Sequence, residues 1–540
     1  MLATLLSATL QGLAGRVVRV EVDVAPGLPG FTIVGLPDAA LSEARERVRG
    51  AIRNAGFVHP PRRITVNLAP AELRKTGASL DLAIAFGILL GSEQLRVARG
   101  RVAVIGELSL SGEVRRVPGL LPMVAALHQR GVQRIVVPSD GLREAALVPG
   151  AEPIPVTSLV DAVEALRARG SRRRAMPPER ITLDAPSAGG PVGAAAHPPP
   201  GIGSADIASA QTLTDPAPVD VPDLADVRGQ LEARRALEIA LAGGHALLLM
   251  GPPGSGKTLL ARTIPTLLPD LDDEAALAAT IVASVASDRP LSGLVRRPPF
   301  RAPHHTTSYA GMVGGGPRLS PGEVTLADQG VLFLDELPEF GRDVLEALRE
   351  PLEEGRIAIA RVGRATSFPA RVILVAAMNP CPCGFDGSAH RTCDCRDGLP
   401  QRYRARVSGP LRDRIDLWLT LDRVAPVVLI SGAAHEGSAA VAARIADARA
   451  RQARRQGRTL NGRIRGGGLR TVCALDPQAR RRAVELADAE GLSGRGTERL
   501  LRVARTIADL AGDDGVGSHH LEEAARYRAP AWLLPQRLAG

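Results

Sequence analysis

Aromatic side chains are scarce in this sequence: two Trp, three Tyr and eight Phe make up 2% of 540 residues. That excludes an extended platform for stacking unpaired bases, which needs several rings on one surface. Lysine is almost missing. It occurs only at Lys75 and Lys257, so every other member of the basic set of 67 is arginine, and a lysine kept against such a background asks for a chemical reason. Cysteine is limited to five residues, four of them between 381 and 395. A secreted disulfide framework would spread pairs along the chain, so a cytoplasmic location is expected. No run of about 18 uncharged apolar residues occurs, so no membrane partner is expected. Residues 1–15 are apolar but lack a basic leader and run into the strand-like alternation VVRVEVDV, so no signal peptide is expected.

What is there suffices for several packed domains. At about 150 residues each, the length predicts three or four, and 45% hydrophobic content supplies their cores. The +10 net charge favours polyanionic partners, nucleic acid among them, although an arginine-rich solvated surface would carry the same charge. Residues 1–170 alternate strand-like runs with amphipathic helices and read as an α/β domain. Residues 171–222 are rich in Pro, Ala, Gly and Ser without periodicity and read as a flexible linker. Residues 223–425 form an α/β core, and residues 426–540, Ala- and Arg-rich with helical spacing, read as a helical lid.

The reason for Lys257 is visible. It lies in GPPGSGKT, which follows the apolar run HALLLM and opens a helix, the context a phosphate-binding loop requires. Gly251, Pro252, Pro253, Gly254, Ser255, Gly256, Lys257, Thr258 and Leu259 are the candidate phosphate contacts, with loop amides cradling the anion. A compact ammonium fits among phosphate oxygens better than a planar guanidinium. Lys257 is expected to reach the β and γ phosphates and Thr258 to present its hydroxyl to Mg²⁺. Downstream, GVLFLDEL ends a strand in Asp335, placed for the metal, and Glu336, placed for an attacking water. RVILVAAMNP ends a further strand in Asn379, whose amide would orient that water. GPLRDRIDL offers Arg412 and Arg414, either of which would act on a neighbouring subunit's nucleotide. A guanine-specifying motif needs a lysine after asparagine, which the two lysines exclude, so ATP is expected.

This order of elements resembles an AAA+ ATPase. FRAPHHTTSYAGMVGGG, PLEEGRIAIARVGRATSFPARVILVAAMNPCPCG and DLADVRGQ resemble the magnesium-chelatase-like group, and GLPGFTIVGLPDAALSEARERVRGAIRNAG is similar to the amino domain of the YifB/ComM proteins. The resemblance implies an α/β architecture in three parts: a Lon-protease-like (ribosomal S5-like) amino domain, a parallel-sheet core and a helical lid. It implies an ATP base near Val227 and Gly229, Arg414 as the finger, and Arg495 as the lid's sensor with Arg499 as substitute. It also implies a homo-hexamer acting as a DNA branch-migration helicase on recombination intermediates in natural transformation. The hairpin RIAIARVGRATSFPARVILV puts Arg361 and Arg364 at its tip, where they would grip phosphates without reading bases; a solvated surface hairpin is the alternative. The glycine-rich segment SYAGMVGGGPRLSPGEV reads as a mobile pore loop or a plain surface loop.

Cys381, Cys383, Cys393 and Cys395 form two C-x-C pairs suited to a tetrahedral Zn²⁺ site, with His390 able to replace one thiolate; the alternative is a reduced, metal-free loop. Cys473 reads as a core residue. The Lon-like resemblance raises a peptidase, with Ser79 as nucleophile, but the matching lysine position falls at Leu121, so no peptidase activity is expected. A magnesium chelatase motor subunit is the remaining rival.

Overall fold

The computed structural model describes residues 1–75, 77–96, 102–167, 221–287, 289–316, 319–361, 364–430 and 435–529. The segment read as a linker, 171–222, lies almost wholly outside them.

The apolar opening of the chain is a strand in its own right. Leu2–Gln11 pairs antiparallel with Ala14–Ala25, and the two occupy the middle of a seven-stranded mixed sheet. Its order is Gly30–Val34, Arg63–Ala69, Ala14–Ala25, Leu2–Gln11, Val102–Val104, Arg134–Pro138 and Glu152–Val156. Strict alternation buries Val18, Val20, Val22 and Val24 on one face. Helix Asp81–Gly91 lies on that face so closely that a Cβ at Gly87 would sit 2.3 Å from Val22 Cγ2. Helix Ala39–Asn54 starts at Asp38, whose Oδ1 accepts from the Leu41 amide at 2.9 Å.

The second sheet is all parallel, in the order Phe300–Arg301, Val331–Leu334, Ile373–Met378, Leu247–Met250, Leu417–Thr420. Its strands read as continuous apolar runs because both faces are covered. Leu247, Leu249, Val331 and Val375 pack with helix Leu231–Gly243 and the carboxy-terminal helices, while Leu248, Met250, Leu332 and Leu374 pack with Met312, Phe340 and Trp418 on the other side. The carboxy-terminal helices are Ser438–Gln456, Pro477–Ala489, Gly494–Ala511 and Ser518–Arg526, and Asp509 ties the first of them to the third. Its buried carboxylate accepts from Arg455, Arg505 and Asn461 at 2.7–2.8 Å.

The amino-terminal sheet is packed against the second unit. Helix Asp273–Ala286 lies on helix Leu120–Gln129 in a shared core that includes Leu121, Met123, Leu277 and Ile281. Gly119 N–H donates to Ser284 O at 2.7 Å, and Arg116 reaches both Glu144 and Ser287 O. The hairpin Arg356–Arg361 and Arg364–Pro369 forms as expected, with Arg361 and Arg364 as its terminal pair. Its base buries Phe368 in the same core, and the side chains of the two arginines lie outside the described residues. The glycine-rich segment, read as a mobile pore loop or a plain surface loop, carries regular structure of its own. It contains a one-turn helix, Tyr309–Val313, capped by Ser308 Oγ at 3.2 Å from Gly311 N, and a bridge between Gly314–Gly315 and Ser320–Pro321. No described helix is long and apolar enough to cross a membrane.

Candidate nucleotide site

Ligands of open α/β sheets bind beyond the carboxyl ends of the strands, and there the register aligns three loops. Met250 pairs with Met378, so Gly251 lies beside Asn379, and Gly251 N–H donates to Met378 O at 3.2 Å. The loop from Gly251 through Pro252 and Pro253 turns at Gly254 (φ +76°) and Gly256 (φ +89°), both left-handed, where a side chain would strain the backbone. Helix Lys257–Arg262 follows, with Leu259 exposed beside Thr258.

The Lys257 ammonium is buried and donates to Gly251 O at 2.8 Å, Pro252 O at 2.9 Å, Ser255 Oγ at 3.3 Å and Asn379 Oδ1 at 3.3 Å. Burial lowers its pKa to about 8, against the opposing pull of Asp335 and Glu336. Bound phosphates would raise it again. MgATP affinity is therefore expected to be constant below pH 8 and to fall as pH rises through that value, because the bound state holds a proton that the free site gives up. Calorimetric titration with a non-hydrolysable ATP analogue from about pH 7 to about pH 9.5 checks this; a flat affinity contradicts it.

Thr258 Oγ1 donates to Asp335 Oδ2 at 2.7 Å. Two hard oxygens, one from the helix that follows the loop and one from the end of strand Val331–Leu334, two places away in the sheet, thus converge, a donor set that suits Mg²⁺. Glu336 follows in a left-handed conformation at φ +52°, a strained placement for a non-glycine residue that turns its carboxylate out of the strand line. The sequence reading missed its partner. His305 Nδ1 stands 3.2 Å from Glu336 Oε2, brought there because Phe300–Arg301 is the strand next to Val331–Leu334. The signal was available in the PHHTTS string that follows that short strand.

Val227 and Gly229 lie at the edge of the core. Val227 is buried, Gly229 N–H donates to His435 Nε2 at 3.1 Å, and a Cβ at Gly229 would approach Val424 and Val428 at 3.2 and 3.5 Å. Gln230 Nε2 ties this edge to the phosphate loop through Ser255 O at 3.0 Å.

Arg414 and Arg495 are not part of this cluster. They line a cavity of about 820 Å³ with Ala246, Val372 and Arg465. Ala246 and Val372 precede the strands whose far ends carry Gly251 and Asn379, so the cavity opens at the opposite edge of the sheet. Arg414 pairs with Glu353 and donates to Pro410 O at 2.6 Å. Arg414, and to a lesser degree Arg465 and Arg495, hold the Glu353 carboxyl below its usual range. Arg412 lines a different cavity, with Trp418, and Arg499 donates to Ile415 O at 2.9 Å.

The four clustered thiols converge: Cys381, Cys383, Cys393 and Cys395 place their Sγ atoms within 4.8 Å of one another, and all are free. His390 is exposed and not among them. Cys473 is buried as expected, which pushes its thiol up to about 11. In the amino-terminal unit Ser79 Oγ donates to Ala8 O at 3.0 Å and Leu121 is fully buried. Lys75, also fully buried, donates to Gly35 O at 2.9 Å and to Pro70 O. Its reason is structural: a single ammonium satisfies two loop carbonyls, and burial lowers its pKa to about 8.

Residues 223–428 match the family described as magnesium chelatase, subunit ChlI; residues 20–141 match subunit ChlI of Mg-chelatase; and residues 435–528 match magnesium chelatase, subunit ChlI C-terminal. Over 525 residues the chain is 40% identical to the YifB protein of Escherichia coli (strain K12), covering 97% of this chain and 96% of that protein. Competence protein ComM of Haemophilus influenzae is 39% identical over 539 residues, 99% of this chain and 98% of ComM. A shorter stretch of 201 residues, 34% of this chain, is 29% identical to DNA replication licensing factor Mcm2 of Drosophila melanogaster, covering 20% of that protein.

Proposed function

Because the chain belongs to the magnesium-chelatase-like AAA+ ATPases of the YifB/ComM family, we propose that it is an ATP-hydrolysing ring motor, a homo-hexamer that moves branched or forked DNA. The observation that carries this reading is the division of the machinery. Lys257, Thr258, Asp335, Glu336 and Asn379 meet at one edge of the sheet, while Arg414 and Arg495 stand at the other. A site split in this way is completed by a neighbour, and a head-to-tail interface that closes on itself makes a ring.

In this reading the loop amides and Lys257 hold the β and γ phosphates, and Val227 and Gly229 flank the base. Thr258 and Asp335 hold Mg²⁺, which supplies the charge that neutralises the phosphate oxygens. Glu336 takes the proton of the attacking water, and Asn379 orients that water. Arg414 of the adjoining subunit meets the charge that develops on the γ phosphate. Arg495 shares the Arg414 cavity and acts across the same interface. The carboxy-terminal helices serve as the lid. The amino-terminal unit is a Lon-like domain without peptidase chemistry, because Lys75 is committed to backbone carbonyls and Leu121 cannot accept a proton.

Branch migration in natural transformation is the activity this reading assigns, supported by the ComM and Mcm2 likenesses. Arg361 and Arg364, paired at the hairpin end, are its backbone-gripping residues. Four-way junction or forked DNA is expected to stimulate ATP turnover by about tenfold, with steep salt dependence and little sequence preference. The chelatase-named family matches favour one rival, a motor that remodels a protein partner. Turnover unmoved by any DNA but raised by a chelatase partner would overturn the DNA reading in favour of that rival.

A further inference from the structure

We infer that Cys381, Cys383, Cys393 and Cys395 bind one structural Zn²⁺ whose occupancy sets the geometry of the phosphate loop. Four thiolates at about 2.3 Å from a tetrahedral zinc stand about 3.8 Å apart. The observed Sγ separations are 3.3 Å for Cys381 and Cys383, 3.5 Å for Cys383 and Cys393, and 3.7 Å for Cys381 and Cys393. These are far longer than a disulfide bond at about 2.05 Å. The Asp386 amide donates to Cys381 Sγ at 3.3 Å, the kind of outer contact that steadies a ligating thiolate. Asp386 is itself held by Arg404 at 2.6 Å, which places a cation beside a site that carries net negative charge when loaded. An all-sulfur set of four selects a soft tetrahedral ion over Mg²⁺ or Ca²⁺.

The site is joined to the nucleotide machinery in two ways. Cys381 lies two residues after Asn379, whose Oδ1 accepts from Lys257 at 3.3 Å. The turn that follows the first C-x-C pair rests on the phosphate loop: Gly384, at φ +85°, lies so close to Pro253 that a Cβ there would stand 2.4 Å from Pro253 Cδ. Metal bound by the four sulfurs fixes the Gly384 turn and with it the wall against which Pro253 packs. Without it, only weak sulfur hydrogen bonds hold the crowded thiols together, and both Pro253 and Asn379 lose their backing.

The second half of this inference rests on the ATPase reading; the first does not. The test uses the full chain purified without chelator, with zinc measured by elemental mass spectrometry, MgATP affinity by a fluorescent analogue, and turnover by phosphate release. One zinc per protomer is expected. Removal with a high-affinity chelator under reducing conditions is expected to lower turnover about tenfold or more and to weaken MgATP binding, with recovery on adding ZnCl₂ alone. The variant Cys393→Ser with Cys395→Ser is expected to lose zinc and turnover together. Should it fail to fold, the removal and re-addition series on the wild-type chain decides. No zinc before or after incubation with ZnCl₂ overturns the site. Zinc present, with affinity and turnover unchanged on its removal, overturns the coupling. Zinc present in a chain that binds no nucleotide in any metal state overturns the coupling and the ATPase reading and leaves the site standing.

Discussion

Lys257→Ala is expected to abolish measurable ATP turnover and to weaken MgATP retention by roughly 10²–10³-fold. Charge-assisted hydrogen bonds are worth about 1.5–3 kcal/mol each; two of them, one to each of the β and γ phosphates, give about 3–6 kcal/mol, and at about 1.4 kcal/mol per tenfold the lower part of that range, roughly 10²–10³-fold, is what remains once the bonds the amine gives up are counted. An opposing effect must be weighed. In the free chain the same amine already donates to Gly251 O and Pro252 O, so binding exchanges neutral acceptors for charged ones rather than making bonds from nothing. That exchange still favours phosphate strongly, because the amine is buried and the acceptors gain full negative charge. Equilibrium binding of a labelled nucleotide with Mg²⁺, alongside phosphate release, measures both losses. Turnover within a few fold of wild type contradicts the assignment.

Arg414→Ala is expected to lower turnover by about 10³-fold or more while leaving MgATP affinity within about threefold, since arginine fingers act on transition-state charge and are worth about 10³–10⁵ in rate. The guanidinium is not idle in the single chain: Glu353 holds it at the cavity wall. Assembly must therefore replace a carboxylate partner by a phosphate, and a neighbour's Mg²⁺-bound triphosphate supplies more charge than Glu353. Arg412→Ala serves as the internal comparison, because Arg412 faces the Trp418 cavity instead. A large loss at Arg412 with none at Arg414 would reverse the assignment.

How much of this was legible in the sequence depends on how local each feature is. The phosphate loop is eight consecutive residues with fixed spacing, and its φ-positive glycines at 254 and 256 are a local demand. Asp335, Glu336 and Asn379 were legible because each ends a buried apolar strand. His305 was not, because its approach to Glu336 depends on two strands being neighbours. Which edge of the sheet Arg414 and Arg495 occupy is likewise a matter of topology rather than spacing. In the amino-terminal unit, alternation exposed the strand Ala14–Ala25 but hid Leu2–Gln11, whose consecutive leucines obscure the period. The packing of helix Asp273–Ala286 on helix Leu120–Gln129 joins segments on either side of a stretch without periodicity, so no pattern announces it. Glycine content hid the Ser308-capped turn of helix, since one capping side chain outweighed it locally. Lys75 stood out only by its rarity, and its pairing with Gly35 O required the fold.

Mixing the two inactive variants separates a shared site from a self-contained one. A Lys257→Ala protomer still carries Arg414, and an Arg414→Ala protomer still carries an intact phosphate loop. Combined at equal concentration under conditions that allow subunit exchange, they form interfaces with both parts in place, and turnover is expected to return to at least about a tenth of wild type. If the mixture assembles, with co-assembly verified by differently tagged chains, and yet stays as inactive as either variant alone, the nucleotide is not hydrolysed between subunits.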